Sequence, residues 1–212
     1  RTPGATTRMT AEKERFLHAI ERFDAANSED PNRTLADGRE QPKELLYGRR
    51  LSAMLERFAP EAPEALRLAV RCQHIQRWRT PRDTYPRTPL GYQQWRTQLM
   101  KFHAETAGRI LREVGYEEAM IGRVKSLVRK EGLKRDPDCQ TLEDVVDLVF
   151  LENYLADFVA SHPDYDEAKF ADILKKTWKK MSIRGHEAAL SMIKLPEHLL
   201  PVIHRAVLPG DG

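Results

Sequence analysis

Along most of the chain apolar residues recur every third or fourth position, the spacing of a helix buried on one face. Phe16, Ile20 and Phe23 form one such stripe, with Thr10 placed to cap a first helix running to about Ala26. The stretch NSEDPNRTLADGREQP that follows is polar, holds two prolines and a glycine, and reads as a loop. A second helix is predicted from Lys43 to about Phe58. A third starts near Pro63, a residue suited to a first helical turn, and ends around Trp78. RTPRDTYPRTPLG, with three prolines, then breaks the pattern as a long loop, a kind of segment that often carries function. A long helix follows from Gly91 to Val114, closed by Gly115, and another from Glu118 to Lys130, ending before Gly132. Thr141 to Asp144 has the form of a capping box, with Asp in the place of Glu or Gln. It opens a helix through Val159 that is apolar around most of its circumference and therefore central. Two or three further helices follow from Asp166, interrupted by Gly185 and Pro196. No alternating run is long enough to predict a strand.

These elements predict an all-α protein forming a single helical domain over residues 1–212, with a carboxy-terminal helical extension at about 166–206. A chain of 212 residues is long enough to bury a sizeable core. Its net charge of +3 arises from 35 basic and 32 acidic residues, so charge acts through local arrangement and gives no global nucleic-acid or membrane footprint. No apolar run approaches the roughly 20 residues that span a bilayer. The first residues contain no apolar signal core. Cys72 and Cys139 stand in no metal-ligand spacing and suggest no disulfide framework, which points to a reducing, cytoplasmic setting without a membrane partner.

Candidate chemistry gathers around two histidines. His103 shares a helical stripe with Tyr92, Leu99, Ala107, Ile110 and Val114, so it faces the core or a cleft lined by it. A buried, hydrogen-bonded core histidine satisfies the same pattern. His74, in AVRCQHIQRW, lies off the strongest stripe of its helix and beside the proline-rich loop, where it faces a cleft mouth or caps the helix. On the central helix Asp144, Asp147 and Glu152 lie in or beside the inward stripe. A carboxylate so placed needs a cap, a partner or a cation. Around the loop Arg77, Trp78, Arg79, Arg82, Tyr85, Arg87, Tyr92, Trp95 and Arg96 combine arginine with aromatics. That mixture suits phosphate contacts and base stacking, and equally a loop pinned by its own side chains. The aromatics favour pinning, the arginines an anion site.

Four segments together resemble the HD superfamily of metal-dependent phosphohydrolases over about residues 43–158. AVRCQHIQRW is similar to its His-Asp element, FHAETAGRILREVG to the next, IGRVKSLVRKEGL to the third and LEDVVDLVFLENY to the helix carrying the last aspartate. The family's residues are substituted here: Tyr47 or Arg49 for the first histidine, Gln73-His74 for His-Asp, Lys130 for the third-element histidine, and Glu152, or Asp147, for the final aspartate. The whole chain is also similar to an uncharacterised domain family sometimes labelled glutamyl-tRNA synthetase; QHIQ and KKMS echo synthetase signatures, without the parallel sheet those signatures require. The resemblance implies an HD-like helical bundle and a hydrolase acting on a phosphorylated small molecule or nucleotide. Its site would be His74, His103 and Glu152, catalytic and binding one divalent metal ion (Fe, Mn or Zn). Gln73, Arg77, Trp78, Arg82, Tyr85, Arg96 and Lys130 would bind substrate. The alternative is a metal-free protein binding an anion, nucleotide or RNA, in which Lys130 and the loop arginines replace the metal's charge. A helical interaction protein without a small-molecule site is the third reading.

Overall fold

The computed structural model describes residues 5–207, with side chains from residue 10 onward. Among these residues the chain is mostly helical, with ten α-helices and one two-stranded hairpin. It divides into two compact units. The first holds the chain up to Glu56 together with Glu61–Glu131, and the second holds Arg57–Pro60 and the chain from Gly132 onward. The stretch that resembles an HD core is thus shared between them.

The first unit contains α1 (Ala5–Ser28), β1 (Arg33–Ala36), β2 (Arg39–Pro42), most of α2 (Lys43–Phe58), α3 (Glu64–Arg71), α4 (Pro89–Val114) and α5 (Glu118–Val128). Phe23, Leu51, Leu66, Leu68, Leu111, Ile121 and Leu127 are fully buried and make its core. Truncating one of these leucines to alanine costs about 2–5 kcal/mol. Helix α4 begins as its sequence directs: the Thr88 hydroxyl accepts from the Gly91 amide at 3.0 Å, and Pro89 fills the first turn. It ends where Gly115 turns left-handed at φ 96°.

Three boundaries differ from expectation. Thr10 lies inside α1 and does not cap it. The polar segment after α1 pairs as a hairpin, Arg33 opposite Pro42 and Ala36 opposite Arg39. Asp37 and Gly38 at its tip have φ 52° and 71°, the pair of positive angles that a tight hairpin turn requires. The strands are short and largely exposed, so the turn and not a buried face sets the pairing, and no alternation marks it in the sequence. Helix α3 stops at Arg71, well before Trp78.

The second unit contains α6 (Pro137–Val149), a π-helical turn at Phe150–Tyr154, α7 (Leu155–Ala160), α8 (Glu167–Lys180), α9 (Ile183–Ser191) and α10 (Leu200–Val207). Leu142, Val145, Leu148 and Val149 are fully buried, as the apolar pattern predicts. The cap of α6 is Asp136, whose carboxylate accepts from the Asp138 and Cys139 amides at 3.0 and 3.4 Å. Thr141 sits inside the helix and donates to the Pro137 carbonyl, so the expected capping box is not formed. Asp144 instead organises the start of α9, accepting from the Ser182 amide at 2.7 Å and from its hydroxyl. A Cβ on Gly185 would lie 2.7 Å from the Asp144 carboxylate, so a larger residue at this position in α9 displaces that carboxylate. No described helix is long and apolar enough to cross a membrane.

Candidate functional site

The backbone after α3 makes the site. Released from the helix at Arg71, the chain turns through Cys72–Gln76, and Gln76 adopts a left-handed φ of 52°. Two buried side chains hold this turn. The Asn27 carboxamide accepts from the Gln76 amide at 2.9 Å. His103 Nδ1 lies 2.8 Å from the Ile75 carbonyl oxygen and donates to it. That bond fixes the tautomer: the proton is on Nδ1 and Nε2 carries a lone pair. His103 is 3% exposed, and its Nε2 has no hydrogen-bond partner among the described residues. The Gln73 amide oxygen is likewise buried without a partner there.

The turn brings His74 to this point. The two imidazole centroids are 5.9 Å apart. Tyr47 stacks on His74 at 4.1 Å with the planes 14° apart. Arg77 Nη1 lies 3.0 Å from His74 Nε2 and 3.4 Å from Nδ1. Nearly equal distances to both nitrogens place the guanidinium over the ring and not at its edge, which leaves the other face to Tyr47. The Glu44 carboxylate stands 3.4 Å from His74 Nδ1, and the His74 side chain remains 24% exposed. Glu44 begins α2; its amide donates to the buried Asp30 carboxylate at 2.9 Å.

The electrostatics are one-sided. Burial, then the positive charges of Arg77, Lys130, Arg96 and Lys43, hold the His74 pKa well below the usual imidazole range. Burial, His74 and Arg77 push His103 down to about 3, against the opposing pull of the Ile75 carbonyl and Glu44. Burial raises the Glu44 carboxyl, and Arg77, Lys43 and His103 partly offset this. At neutral pH two uncharged imidazoles thus sit together, His74 under the positive charge of Arg77, Lys130, Arg96 and Lys43 and beside one buried carboxyl, Glu44. Lys130 holds its place at a backbone cost. It ends α5 with φ 57°, its amide donating to Leu127 and that of Glu131 to Ser126, a helix end where glycine is the usual residue.

The loop residues divide by role. The Trp95 indole donates to the Thr80 carbonyl at 2.8 Å, and Arg82 donates to the Tyr85 and Pro86 carbonyls at 2.9 Å each. A Cβ on Gly91 would lie 2.2 Å from the Pro86 oxygen, so the loop lies directly on the first turn of α4. Arg82 therefore pins the loop. Trp78 and Tyr85 are half-buried. Arg77 packs over Trp95 at 5.0 Å and reaches His74; Arg96 is exposed and acts on His74 through its charge.

The predicted acidic residues have partners within their own unit. Glu152 belongs to the second unit, where Arg57 donates to both its oxygens at 2.9 and 3.4 Å and the Lys194 amide donates at 3.1 Å. It ties down the chain at Met192–Lys194, with Arg57 also reaching the Met192 carbonyl. Asp147 and Glu143 face Lys180 in the same unit at 3.4 and 3.2 Å. Among the described residues no group of three or more His, Cys, Asp or Glu side chains is arranged to hold a metal ion. The charge argument agrees: the cations that help to drive a proton from His74 repel a doubly charged ion more strongly. The donor set does not fit the divalent metal implied by the HD resemblance.

Glu44, Asn27 and Lys43 were not legible as site residues. Glu44 three residues before Tyr47 on a predicted helix was the available signal, since that spacing puts both on one face.

The family profile described as "Domain of unknown function (DUF4202)" matches residues 17–203, nearly the whole chain, and the chain belongs to that family. Searches of curated proteins and of solved structures gave no match.

Proposed function

We propose that this member of the DUF4202 family binds a phosphorylated or otherwise anionic small molecule at the His74–His103 site without a metal ion. The observation that supports this is the Arg77 guanidinium 3.0 Å from His74, itself paired with His103 at 5.9 Å, with Lys130, Arg96 and Lys43 adding positive charge at His74. An anion entering at the exposed edge of His74 meets positive charge, a guanidinium suited to phosphate oxygens and a low-dielectric wall. In this reading the cations do what the metal does in HD-type sites, and an HD-like bundle is the architecture proposed. Two buried cysteines, Cys72 and Cys139, suit a cytoplasmic setting.

Hydrolysis of the bound ligand is the second reading, favoured by His103. Its Nδ1 is anchored and its Nε2 lone pair is unused, the arrangement of a general base that accepts a proton from water or a ligand hydroxyl.

Calorimetry and thermal unfolding with inorganic phosphate test the primary reading. Phosphate at about ten times its Kd raises stability by about 1.4 kcal/mol, and Arg77→Ala removes the effect. Mn, Fe(II) and Zn do not stabilise the protein. Stoichiometric metal, lost in both His74→Ala and His103→Ala, would overturn it.

A further inference from the structure

A single phosphate leaves much of the nearby positive surface unused. Residues 77–96 carry five arginines against one aspartate, a larger surplus than the +3 of the entire chain. Part of it is already spent. Arg82 holds loop carbonyls, Arg77 covers His74, and Arg79 approaches Glu29 at 3.8 Å. Arg87 and Arg96 are exposed, with Asp83 the acidic residue of the segment.

Tyr92, Arg96, Leu99 and His103 follow one another on one face of α4. Over about 16 Å this face passes from the exposed Tyr92 and Arg96 to the buried Leu99 and His103. At the outer end Tyr92 is 45% exposed, and the guanidinium carbons of Arg82 and Arg96 each lie 5.9 Å from its ring centroid. An accessible aromatic face among guanidinium groups matches what a nucleotide strand offers: bases that stack and phosphates that pair with cations.

We propose that the site receives the phosphorylated end of a single-stranded nucleic acid, with the terminal phosphate among Arg77, Lys130 and the histidines and the following nucleotides along Arg96, Tyr92 and Arg87. This rests on the anion-binding reading of the pocket and names its ligand. The repeated phosphates account for the arginine surplus beyond the pocket, and the bases account for an exposed tyrosine among charged groups.

Fluorescence anisotropy with the whole protein tests it, using oligothymidylate decamers phosphorylated at either end, the unphosphorylated decamer, and thymidine monophosphate and inorganic phosphate as competitors. A terminally phosphorylated decamer binds about ten-fold or more tighter than the monophosphate. Its log affinity falls with log salt at a slope of about −2 to −3, as three or four phosphate contacts require. Tyr92→Ala weakens the decamer about five-fold or more, and Arg87→Ala lowers the slope by about 0.7. Neither changes inorganic phosphate binding. Equal affinity for decamer and monophosphate, with phosphate still bound, overturns the strand proposal and leaves the pocket reading standing. A decamer indifferent to its terminal phosphate, or to both substitutions, also overturns the proposal. Failure of inorganic phosphate to bind overturns the pocket reading, and the strand proposal with it.

Discussion

Lys130 couples the positive charge of the site to a strained backbone, so the two can be separated by substitution. Its φ of 57° puts a residue with a Cβ in the left-handed region. That conformation costs a non-glycine residue about 1–2 kcal/mol. Lys130→Gly relieves the cost, while the greater freedom of glycine in the unfolded chain returns about 0.4–1 kcal/mol. Lys130→Ala removes the same ammonium group and the same side-chain contacts but keeps the strain. The glycine variant is therefore expected to be more stable than the alanine variant by about 0.8 kcal/mol, the difference between the middles of those two ranges. That corresponds to about 1–4 °C in Tm for a chain of this size. Both variants lose phosphate affinity equally, by about ten-fold, since both remove one cation from a partly desolvated site. Thermal unfolding and phosphate calorimetry on the pair read the two effects separately. An alanine variant as stable as the glycine variant refutes the strain argument. Parent-like phosphate binding in either refutes the electrostatic role of Lys130.

Two further expectations follow from the same geometry. The depressed pKa of His103, about 3, means that below the ordinary imidazole value of 6.5 the unfolded chain binds a proton that the folded one does not. Stability therefore falls as pH drops from about 6.5 towards 3, at up to about 1.4 kcal/mol per pH unit from this group. The raised Glu44 pKa works in the opposite direction as its carboxyl protonates. His103→Asn retains a donor for the Ile75 carbonyl, so denaturant unfolding across this range should show a slope shallower by about one proton; parallel profiles for parent and variant contradict the assignment. In the second unit, Gly185→Ala drives a methyl group into the Asp144 carboxylate, with an expected loss of about 1–3 kcal/mol. Unchanged unfolding of this variant would show that the start of α9 adapts freely.

The helices whose apolar stripes and end signals agree were legible in the sequence. Helix α2 runs from Lys43 to Phe58 as predicted, and α4 ends at Val114 before the left-handed Gly115. The wheel also placed His103 on the buried stripe of α4, where it lies. His74 was harder to place because the turn after Arg71 positions it, and no periodicity describes a turn held by Asn27 and His103. The wheel of the central helix placed Leu148, Leu151 and Leu155 on the buried stripe, where they lie, and Glu152 at its edge, where it is half-buried. Its ion pair with Arg57 was not legible, because the two residues are remote in sequence. The Asp144 carboxylate looked like a local cap, but its partner Ser182 is remote in sequence, and local spacing cannot reveal such a bond.

The central claim is that the His74–His103 site keeps its imidazoles neutral and its net charge positive until an anion arrives. Nitrogen NMR of the histidine side chains at pH 6, with and without inorganic phosphate, measures this most directly. The account predicts that His74 and His103 are both uncharged in the free protein, His103 with its proton on Nδ1, and that phosphate raises the His74 pKa and shifts its resonances. Imidazolium signals from either residue at pH 6 in the free protein, or resonances unmoved by phosphate, would contradict it.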